Sequence, residues 1–453
     1  MSPTDETAAT DEATDTHGGI NRRQALRALS GGAVAASMGL AGCIQQTGDG
    51  ESGGSGGESG GDGAGDGESG DAQTGTTSSA ADIGTVSIGV LVPTSGPSAP
   101  LGQAQRQGAK LGVEFVNGSD AFDFEIDAVY EDTQTDPAAG RQKAKKVVEE
   151  DGVDVIAGAL ESSVALAVAD YVGQQDVLYM SGAATVALTG EECNANTFRY
   201  ESNAAQHMAG LTDFAAAELG TNWWLHSTDE AYGQSALSQL ERRVEAQGLN
   251  VDIVGRTMPD PGTSDFGPQI TQISNSDADV LVLPETGGDL INFMKQADSA
   301  GLKDEVDIIG TALFAQVSRG ALGQTAAGTY SSTLYNHQLE TGDNQQFVEA
   351  YRSAHDSPPG NFARVGYELV RTVARGIQAA GSSEHTTVRE TLEGLEMQTV
   401  LGETSYRACD HQSVNPVWTG EIVTAGEGTE VNLLNKVDGP DTVRPCEETG
   451  CSF

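Results

Sequence analysis

From residue 83 onward, short β-branched apolar runs alternate with longer segments in which apolar residues recur at helical spacing. The runs predict strands at 86–92, 124–130, 153–158, 177–180, 222–226, 251–257, 280–283 and 306–310. The segments between them predict helices at 102–116, 162–172, 204–219, 234–247, 268–274, 290–300 and 361–380, and another that begins at Pro137. Repeated strand–helix units predict parallel sheets covered on both faces, and two such series predict an α/β protein with two lobes.

Residues 1–82 follow a different pattern. Segment 21–27 contains Arg22-Arg23 and resembles the twin-arginine export motif, and Leu-Ala-Gly-Cys at 40–43 resembles the processing box of lipoprotein signals. We therefore predict a twin-arginine lipoprotein signal at 1–42, with Cys43 carrying the lipid. The Gly-, Ser- and acid-rich stretch 43–82 is predicted to be a flexible, lipid-anchored linker. The expected location is the outer, extracytoplasmic face of the cell membrane.

The chain is strongly acidic, with 66 Asp and Glu against 24 Lys and Arg and a net charge of −42. Such a charge repels nucleic acid, and no apolar run reaches the roughly 20 residues of a membrane-spanning helix. Nucleic-acid binding and an integral transporter are therefore excluded. Because the acidic residues are spread along the whole chain, the charge indicates a protein of halophilic type. A site for cationic ligands is the less favoured alternative.

Five cysteines fit an exported protein. With Cys43 assigned to lipid, Cys193, Cys409, Cys446 and Cys451 remain, and they predict one or two disulfides among three possible connectivities. A zinc site is the alternative, which no C-x-x-C or neighbouring His pair supports. We expect no metal and no cofactor.

Candidate binding residues lie in the loops directly after predicted strands, where ligands of open parallel sheets bind. These loops are rich in hydroxyls and Gly, and several precede helix N-termini, which suit an anion such as a carboxylate. They comprise residues 93–102, 159–163, 181–185, 227–233 and 284–288. For Ser162 and Thr185 a simple helix-capping role is the alternative.

Seven motifs occur in an order that resembles the branched-chain amino acid/amide class of periplasmic binding proteins, the ligand receptors of ABC importers. They are P-T-S-G-P at 93–97, Y-E-D-T-Q-T-D-P at 130–137, G-A-L-E-S-S at 158–163, S-G-A-A-T at 181–185, F-R at 198–199, D-E-A-Y-G at 229–233 and R-A-C-D-H-Q at 407–412. The resemblance implies two Rossmann-like lobes joined by a three-strand hinge. Lobe one is expected at 83–203 and 333–411, and lobe two at 204–332 and 412–453.

The resemblance also implies a ligand site between the lobes. Ser162, in the loop it shares with Ser163, and Ala183 and Thr185 are expected to hold the ligand carboxylate. Leu101 takes the place of an aromatic residue that often touches the ligand, and Tyr232 matches an aromatic residue on lobe two. Relatives that bind leucine-like amino acids carry a Glu after the strand that corresponds to 306–310, and here the loop 310–314 has no acid. The possible substitutes are Glu201, Asp229, Glu230 and Glu285.

The function expected from the resemblance is capture of a small polar ligand and its delivery to an ABC permease by a monomeric protein. The ligand could be a branched-chain or other amino acid, an amide, a urea-like molecule or a short carboxylate. The alternative is a ligand-sensing subunit of a signalling receptor with the same fold. An enzyme is disfavoured, because residues 83–453 have no H-E-x-x-H pair, G-x-S-x-G elbow or P-loop lysine.

Overall fold

The computed structural model describes residues 83–453. Lobe one contains a five-stranded, wholly parallel sheet of strand order β2-β1-β3-β4-β5. Its strands are β1 (Thr85–Val92), β2 (Glu125–Asp132), β3 (Val155–Gly158), β4 (Leu178–Ser181) and β5 (Thr197–Arg199). Since helices cover both faces, β1, β3 and β4 are almost wholly buried and apolar, as expected for central parallel strands.

The helices of lobe one lie on the two faces of this sheet. They are α1 (Ala99–Asn117), α2 (Pro137–Glu149), α3 (Ser162–Val172), α9 (Asn344–His355), α10 (Asn361–Ala380) and α11 (His385–Leu392). Helices α1 and α10 pack against each other closely because of two glycines. A Cβ on Gly108 would lie 1.8 Å from Ala363 O, and one on Gly366 would lie 2.0 Å from Gln105 O. Larger residues at either position would force the two helices apart.

Lobe two contains a seven-stranded sheet of order β14-β13-β10-β9-β8-β6-β7. Its strands are β6 (Asn222–His226), β7 (Asp252–Thr257), β8 (Val280–Leu283), β9 (Asp307–Gly310), β10 (Tyr330–Thr333), β13 (Val417–Ala425) and β14 (Gly428–Val437). Strands β6 to β10 pair in parallel, whereas β13 is antiparallel to both β10 and β14. The helices are α4 (Ala204–Glu218), α5 (Ala231–Gln247), α6 (Gly267–Ser274), α7 (Gly287–Ser299), α8 (Gln316–Leu322) and α12 (Gly439–Thr442).

The chain passes between the lobes three times, after β5, after β10 and after the short hairpin of β11 (Met397–Thr399) and β12 (Gly402–Thr404). The first and third passages are hydrogen-bonded to each other. Arg199 N–H donates to His411 O at 3.0 Å, and Ser413 N–H donates to Arg199 O at 3.0 Å. These backbone contacts place the hinge segments side by side.

The predicted α/β class with two lobes is confirmed, and most predicted elements agree with the structure to within a few residues. The expected parallel sheets form the core of both lobes, and in lobe two the hairpin β13–β14 adds two antiparallel strands at one edge of the sheet. This hairpin was not predicted because β14 alternates exposed and half-buried residues along an edge, so it lacks a continuous apolar run.

Two disulfides join the four cysteines of the body, Cys193 to Cys451 and Cys409 to Cys446. The prediction of disulfides is confirmed and the zinc alternative is wrong. The first bond fastens the C-terminal segment to lobe one, and the second fastens that segment to the third passage between the lobes. The two links therefore hold the end of the chain against lobe one and against the third passage.

The predicted signal, linker and lipid-bearing Cys43 lie outside the described residues. Among residues 83–453, no helix is both long enough and apolar enough to cross a membrane. The same residues contain no cluster of three or more side chains suited to bind a metal ion.

Candidate ligand-binding site

A cavity of about 390 Å³ lies between the two lobes. Lobe one contributes the loops after β1, β3 and β4, and lobe two contributes the loops after β6, β8 and β9. All of these loops follow the carboxyl ends of parallel strands, which is where open α/β sheets bind ligands. Residues 333–337, after β10, complete the wall on the hinge side.

Ser162 and Ser163 lie at the start of α3 on the lobe-one wall. The preceding turn holds Ala159 at φ +53°, a left-handed conformation that is costly for a residue with a Cβ. Ser162 Oγ accepts a hydrogen bond of 3.2 Å from Thr185 N–H, so the Ser162 O–H group can still donate to a ligand. Neither Ser162 nor Thr185 caps a helix through its side chain, although Ser162 does satisfy one backbone donor, the N–H of Thr185.

Four of the seven predicted ligand-binding residues line the cavity: Ser162, Ser163, Tyr232 and Glu285. The other three are buried beside it. Ala183 is 1 % exposed, and its N–H donates to Ser181 Oγ at 3.2 Å, while Gly182 and Ala184 face the cavity instead.

Thr185 and Leu101 are likewise buried, at 3 % and 2 % exposure, outside the cavity wall. Thr185 O accepts a hydrogen bond from Arg199, which ties the loop after β4 to the hinge. Leu101 lies in α1 and does not reach the cavity. Pro97 and Ser98, in the loop that precedes α1, line it instead. The predicted ligand contacts of Ala183, Thr185 and Leu101 stay predictions.

On the lobe-two wall, Tyr232 is held by two hydrogen bonds. Its hydroxyl donates to Thr311 Oγ1 at 2.7 Å and lies 3.1 Å from His207 Nδ1. Burial lowers the pKa of His207 to about 3, so this imidazole is neutral at physiological pH. Its second nitrogen, Nε2, has no hydrogen-bond partner among the described residues.

Glu285 follows β8 and is 4 % exposed. Its Oε1 accepts hydrogen bonds from Thr228 Oγ1 and, at 3.3 Å, from Thr286 N–H. Its Oε2 has no partner among the described residues. Burial raises the pKa of Glu285 to about 8, because removal from water disfavours the carboxylate and Asp289 adds a like charge.

Two more carboxyl groups complete the acidic wall. Glu230 precedes α5 and accepts a hydrogen bond of 3.0 Å from Gly233 N–H, and burial raises its pKa. Glu161 precedes α3 on the opposite lobe. Burial also raises the pKa of Glu161, and the charge of Glu230 contributes to this shift. The two lobes thus present like charges to each other across the cavity.

Glu201, on the first passage between the lobes, is the exception among the cavity's glutamates. Arg364 donates to both of its oxygens, at 3.0 and 3.1 Å, and Asn361 Nδ2 donates at 3.1 Å. Its negative charge is therefore matched within the protein.

Comparison with known proteins gives a consistent result. Residues 85–427 match the family described as periplasmic binding protein. The chain belongs to that family. Its relatives are solute-binding proteins, so it is not an enzyme, and the family works outside the cytoplasm. The predicted identification as a solute-binding protein related to the Leu/Ile/Val-binding proteins is thereby confirmed.

Individual relatives are distant. A Leu/Ile/Val-binding protein homologue of Brucella abortus is 24% identical over 387 residues, which cover 81% of this chain and 92% of the relative. An amino acid ABC transporter substrate-binding protein from Pseudomonas fluorescens has a TM-score of 0.73 at 23% identity, covering 82% of this chain and 99% of that chain. A solute-binding protein from Rhodopseudomonas palustris, in complex with 3,4-dihydroxybenzoic acid, has a TM-score of 0.72 at 23% identity, covering 78% and 98%. At this identity the structural likeness establishes the fold.

Glu161 and His207 are two of the cavity-lining residues that the sequence reasoning did not single out. Glu161 stands in the G-A-L-E-S-S loop, directly before the two predicted serines, so its position after β3 was a usable signal. His207 lies inside α4, and nothing in the local pattern marks it. The loop 310–314 has no acid, and in its place Glu285 and Glu230 supply carboxyl groups from the loops after β8 and β6.

Proposed function

We propose that the chain captures a small polar ligand in the cavity between its lobes and delivers it to an ABC permease. The observation that carries this proposal is a single cavity lined by both lobes at the carboxyl ends of their parallel strands. Closure of two hinged lobes around a ligand is a common binding mechanism of this kind of architecture. The contact of Val186 N–H with Ser235 Oγ, at 3.1 Å, already joins the lobes beside the cavity.

The lobe-one wall suits a carboxylate or another acceptor group. Ser162 and Ser163 combine hydroxyl donors with the N-terminal end of the 11-residue helix α3, whose first backbone N–H groups have no partner within the helix. An amino acid, amide, urea-like molecule or short carboxylate would each present an oxygen to these donors. Among the relatives named above, one is called amino acid-binding and one holds an aromatic acid, which supports the same range.

Calorimetric titration of residues 83–453 with such a panel tests the proposal. We expect at least one compound to bind, and Ser162→Ala to weaken its binding about tenfold through loss of a hydroxyl donor. Ser299→Ala, at the exposed end of α7, is the matched control and should leave the affinity unchanged. The absence of binding or of a ligand-induced melting shift across the panel would contradict the proposal.

Delivery to a permease is separable from sensing by a second experiment. Cells that lack the protein should lose uptake of the radiolabelled ligand if it serves an importer. If uptake persists and only a response to the ligand is lost, the protein serves a signalling receptor instead.

We further propose that Cys43 carries a lipid and that the twin-arginine signal exports the folded protein. The Leu-Ala-Gly-Cys sequence and the arginine pair at the expected spacing support this assignment. Cys43→Ser should release the protein into the medium or leave the precursor uncut, whereas Cys193→Ser should not affect anchoring. Membrane retention of a processed Cys43→Ser protein would contradict lipid attachment at this residue.

We also propose that the acidic body requires salt, as the net charge of −32 over residues 83–453 indicates. Its thermal midpoint should fall steeply as the salt concentration is lowered. Full stability at about 0.05 M salt, where screening extends over little more than 10 Å, would contradict a halophilic character.

A further inference from the structure

Acidic side chains outnumber basic side chains in the wall of the cavity. Its acidic lining side chains are Glu161, Glu201, Glu230, Glu285 and Asp289. Its basic lining side chains are His207, His337 and Arg319. Apart from Glu201, which Arg364 neutralises, these acids have no evident cationic partner, so the basic side chains must be examined one by one.

The basic side chains of the wall do not neutralise the glutamates. Arg319 is held by backbone carbonyls, since its Nε donates to Phe314 O at 3.1 Å and one terminal nitrogen donates to Thr429 O at 3.0 Å. The charge that acts on Arg319 is that of Glu430, and within residues 83–453 Arg319 forms no ion pair with any of the three glutamates other than Glu201. His207 is buried and neutral, as described above. Burial and the neighbouring Arg352 and Arg319 also lower the pKa of His337, which disfavours its charged form.

Glu161, Glu230 and Glu285 consequently form an uncompensated set. Within residues 83–453, none of the three has a Lys, Arg or His nitrogen within 4.0 Å of a carboxylate oxygen. Glu285 provides the sharpest sign of a missing partner, since it is 4 % exposed and its Oε2 points to no hydrogen-bond donor. A buried carboxylate without a cation is strongly disfavoured, so proteins rarely keep one without a use.

The three carboxyl groups come from both walls of the cavity. Glu161 precedes α3 of lobe one, whereas Glu230 and Glu285 belong to lobe two, and the charge of Glu230 acts on Glu161. A positive group between them would attract both walls and would replace their mutual repulsion by attraction. Such a group would therefore favour the closed arrangement of the lobes.

We propose that the ligand is a small aliphatic amine with a net positive charge, such as a basic amino acid or a diamine, whose ammonium group lies between Glu161 of lobe one and Glu230 and Glu285 of lobe two. This inference rests on the proposed ligand-binding function and narrows it. It excludes plain zwitterions and aromatic carboxylates as preferred ligands. A cationic ligand was the less favoured alternative from the overall acidic composition. The residues that line the cavity now favour it.

Two pairs of compounds of equal size test the charge directly. Lysine and 6-hydroxynorleucine differ in one terminal group, which is an ammonium or a hydroxyl, and cadaverine and 1,5-pentanediol differ in this way at both ends. Calorimetric titration at a single fixed salt concentration should show the cationic member of at least one pair binding about tenfold more tightly than its partner, or better. Benzoate and norleucine complete the panel as anionic and zwitterionic compounds.

Variants then connect the preference to the three carboxyl groups. We expect the ratio of the affinity for the cationic compound to that for its hydroxyl partner to fall toward one in each of three variants, Glu161→Gln, Glu230→Gln and Glu285→Gln. Thermal melting verifies that each variant folds. Glu218→Gln, at the exposed end of α4, is the matched control and should retain the full ratio.

The outcomes separate this inference from the function on which it rests. If 6-hydroxynorleucine, norleucine or benzoate binds as tightly as the cations, the protein binds solutes but the inference is wrong. An unchanged ratio in all three Gln variants would also overturn it. If no compound of either panel binds, the proposed function itself fails.

Discussion

Helix α10 of lobe one and the lobe-two wall of the cavity contain buried charge of two different kinds. In α10, the fully buried Arg371 donates to Glu368 at 2.7 Å, and it also contacts Asp343. In the lobe-two wall, Glu285 has hydroxyl and amide partners but no cation. The protein thus supplies a guanidinium to the buried carboxylate of α10 and supplies none to the buried carboxyl group that lines the cavity.

The difference shows how function can be inferred from electrostatics. A buried ion pair adds little net stability, but removal of one partner is costly because the remaining charge has neither water nor counter-charge. A carboxyl group that is buried alone already carries this penalty in the ligand-free protein. Substitutions in the two regions should therefore have opposite effects on stability.

The largest expected effect is in α10. Arg371→Met should destabilise the protein by about 3–5 kcal/mol, because Glu368, which is 0 % exposed, loses its hydrogen-bonded guanidinium and keeps only the more distant Arg375, at 3.8 Å. Chemical denaturation at constant salt measures the change. The control is Arg242→Met, which removes an exposed ion pair with Glu448 and should cost less than about 1 kcal/mol. Equal costs for the two variants would show that the buried network is not structural.

The second prediction concerns Glu201, the compensated glutamate of the cavity. Glu201→Gln should destabilise the protein by about 2–3 kcal/mol, since Arg364 is 0 % exposed and would lose its carboxylate. The same denaturation experiment checks it. A stabilised Glu201→Gln protein would mean that the difference between paired and unpaired glutamates has no energetic basis.

The third prediction concerns Glu285, whose replacement should stabilise the protein rather than destabilise it. The pKa of Glu285 is raised from 4.5 to about 8, so the folded protein keeps a proton that the unfolded chain releases. Its contribution to stability is therefore present below pH 4.5 and is lost as the pH rises through 8. The groups that act on Glu285 are Thr228 and Thr286, through hydrogen bonds, and Asp289 on α7, through its charge; the charge of Glu285 in turn acts on Tyr232 of α5.

Glu285→Gln removes this titration and should stabilise the ligand-free protein by about 1–2 kcal/mol at pH 8.5, with no gain at pH 4.5. Thermal melting at the two pH values measures the difference, and Glu218→Gln is the matched control. A stability gain that is equal at both pH values would show that the variant acts through packing rather than through the carboxyl group.

The sequence could predict the fold because the buried parallel strands are continuous apolar runs, such as Val280–Leu283. The edge strand β14, in which exposed and half-buried residues alternate, was missed. The loops of the site could also be located, since they follow those strands. The orientation of single residues could not, because Ala183 and Thr185 turn inward while Gly182 and Ala184 of the same loop face the cavity.

Charge pairing was equally inaccessible from the sequence. Glu201 and Glu285 were equivalent candidates there, and only the three-dimensional structure places Arg364 beside the former, 163 residues away along the chain. With 66 acidic residues, composition could not distinguish a carboxylate that lacks a cation from one that has a partner.

The central claim is that Glu285 remains protonated in the ligand-free protein and becomes charged when a cationic ligand arrives. Calorimetric titration of the tightest-binding cation of the panel at pH 7, in two buffers of different ionisation enthalpy, measures the protons exchanged. We expect release of a substantial fraction of one proton per ligand bound, and its loss in Glu285→Gln. Binding without proton release, or with proton uptake, would contradict the account.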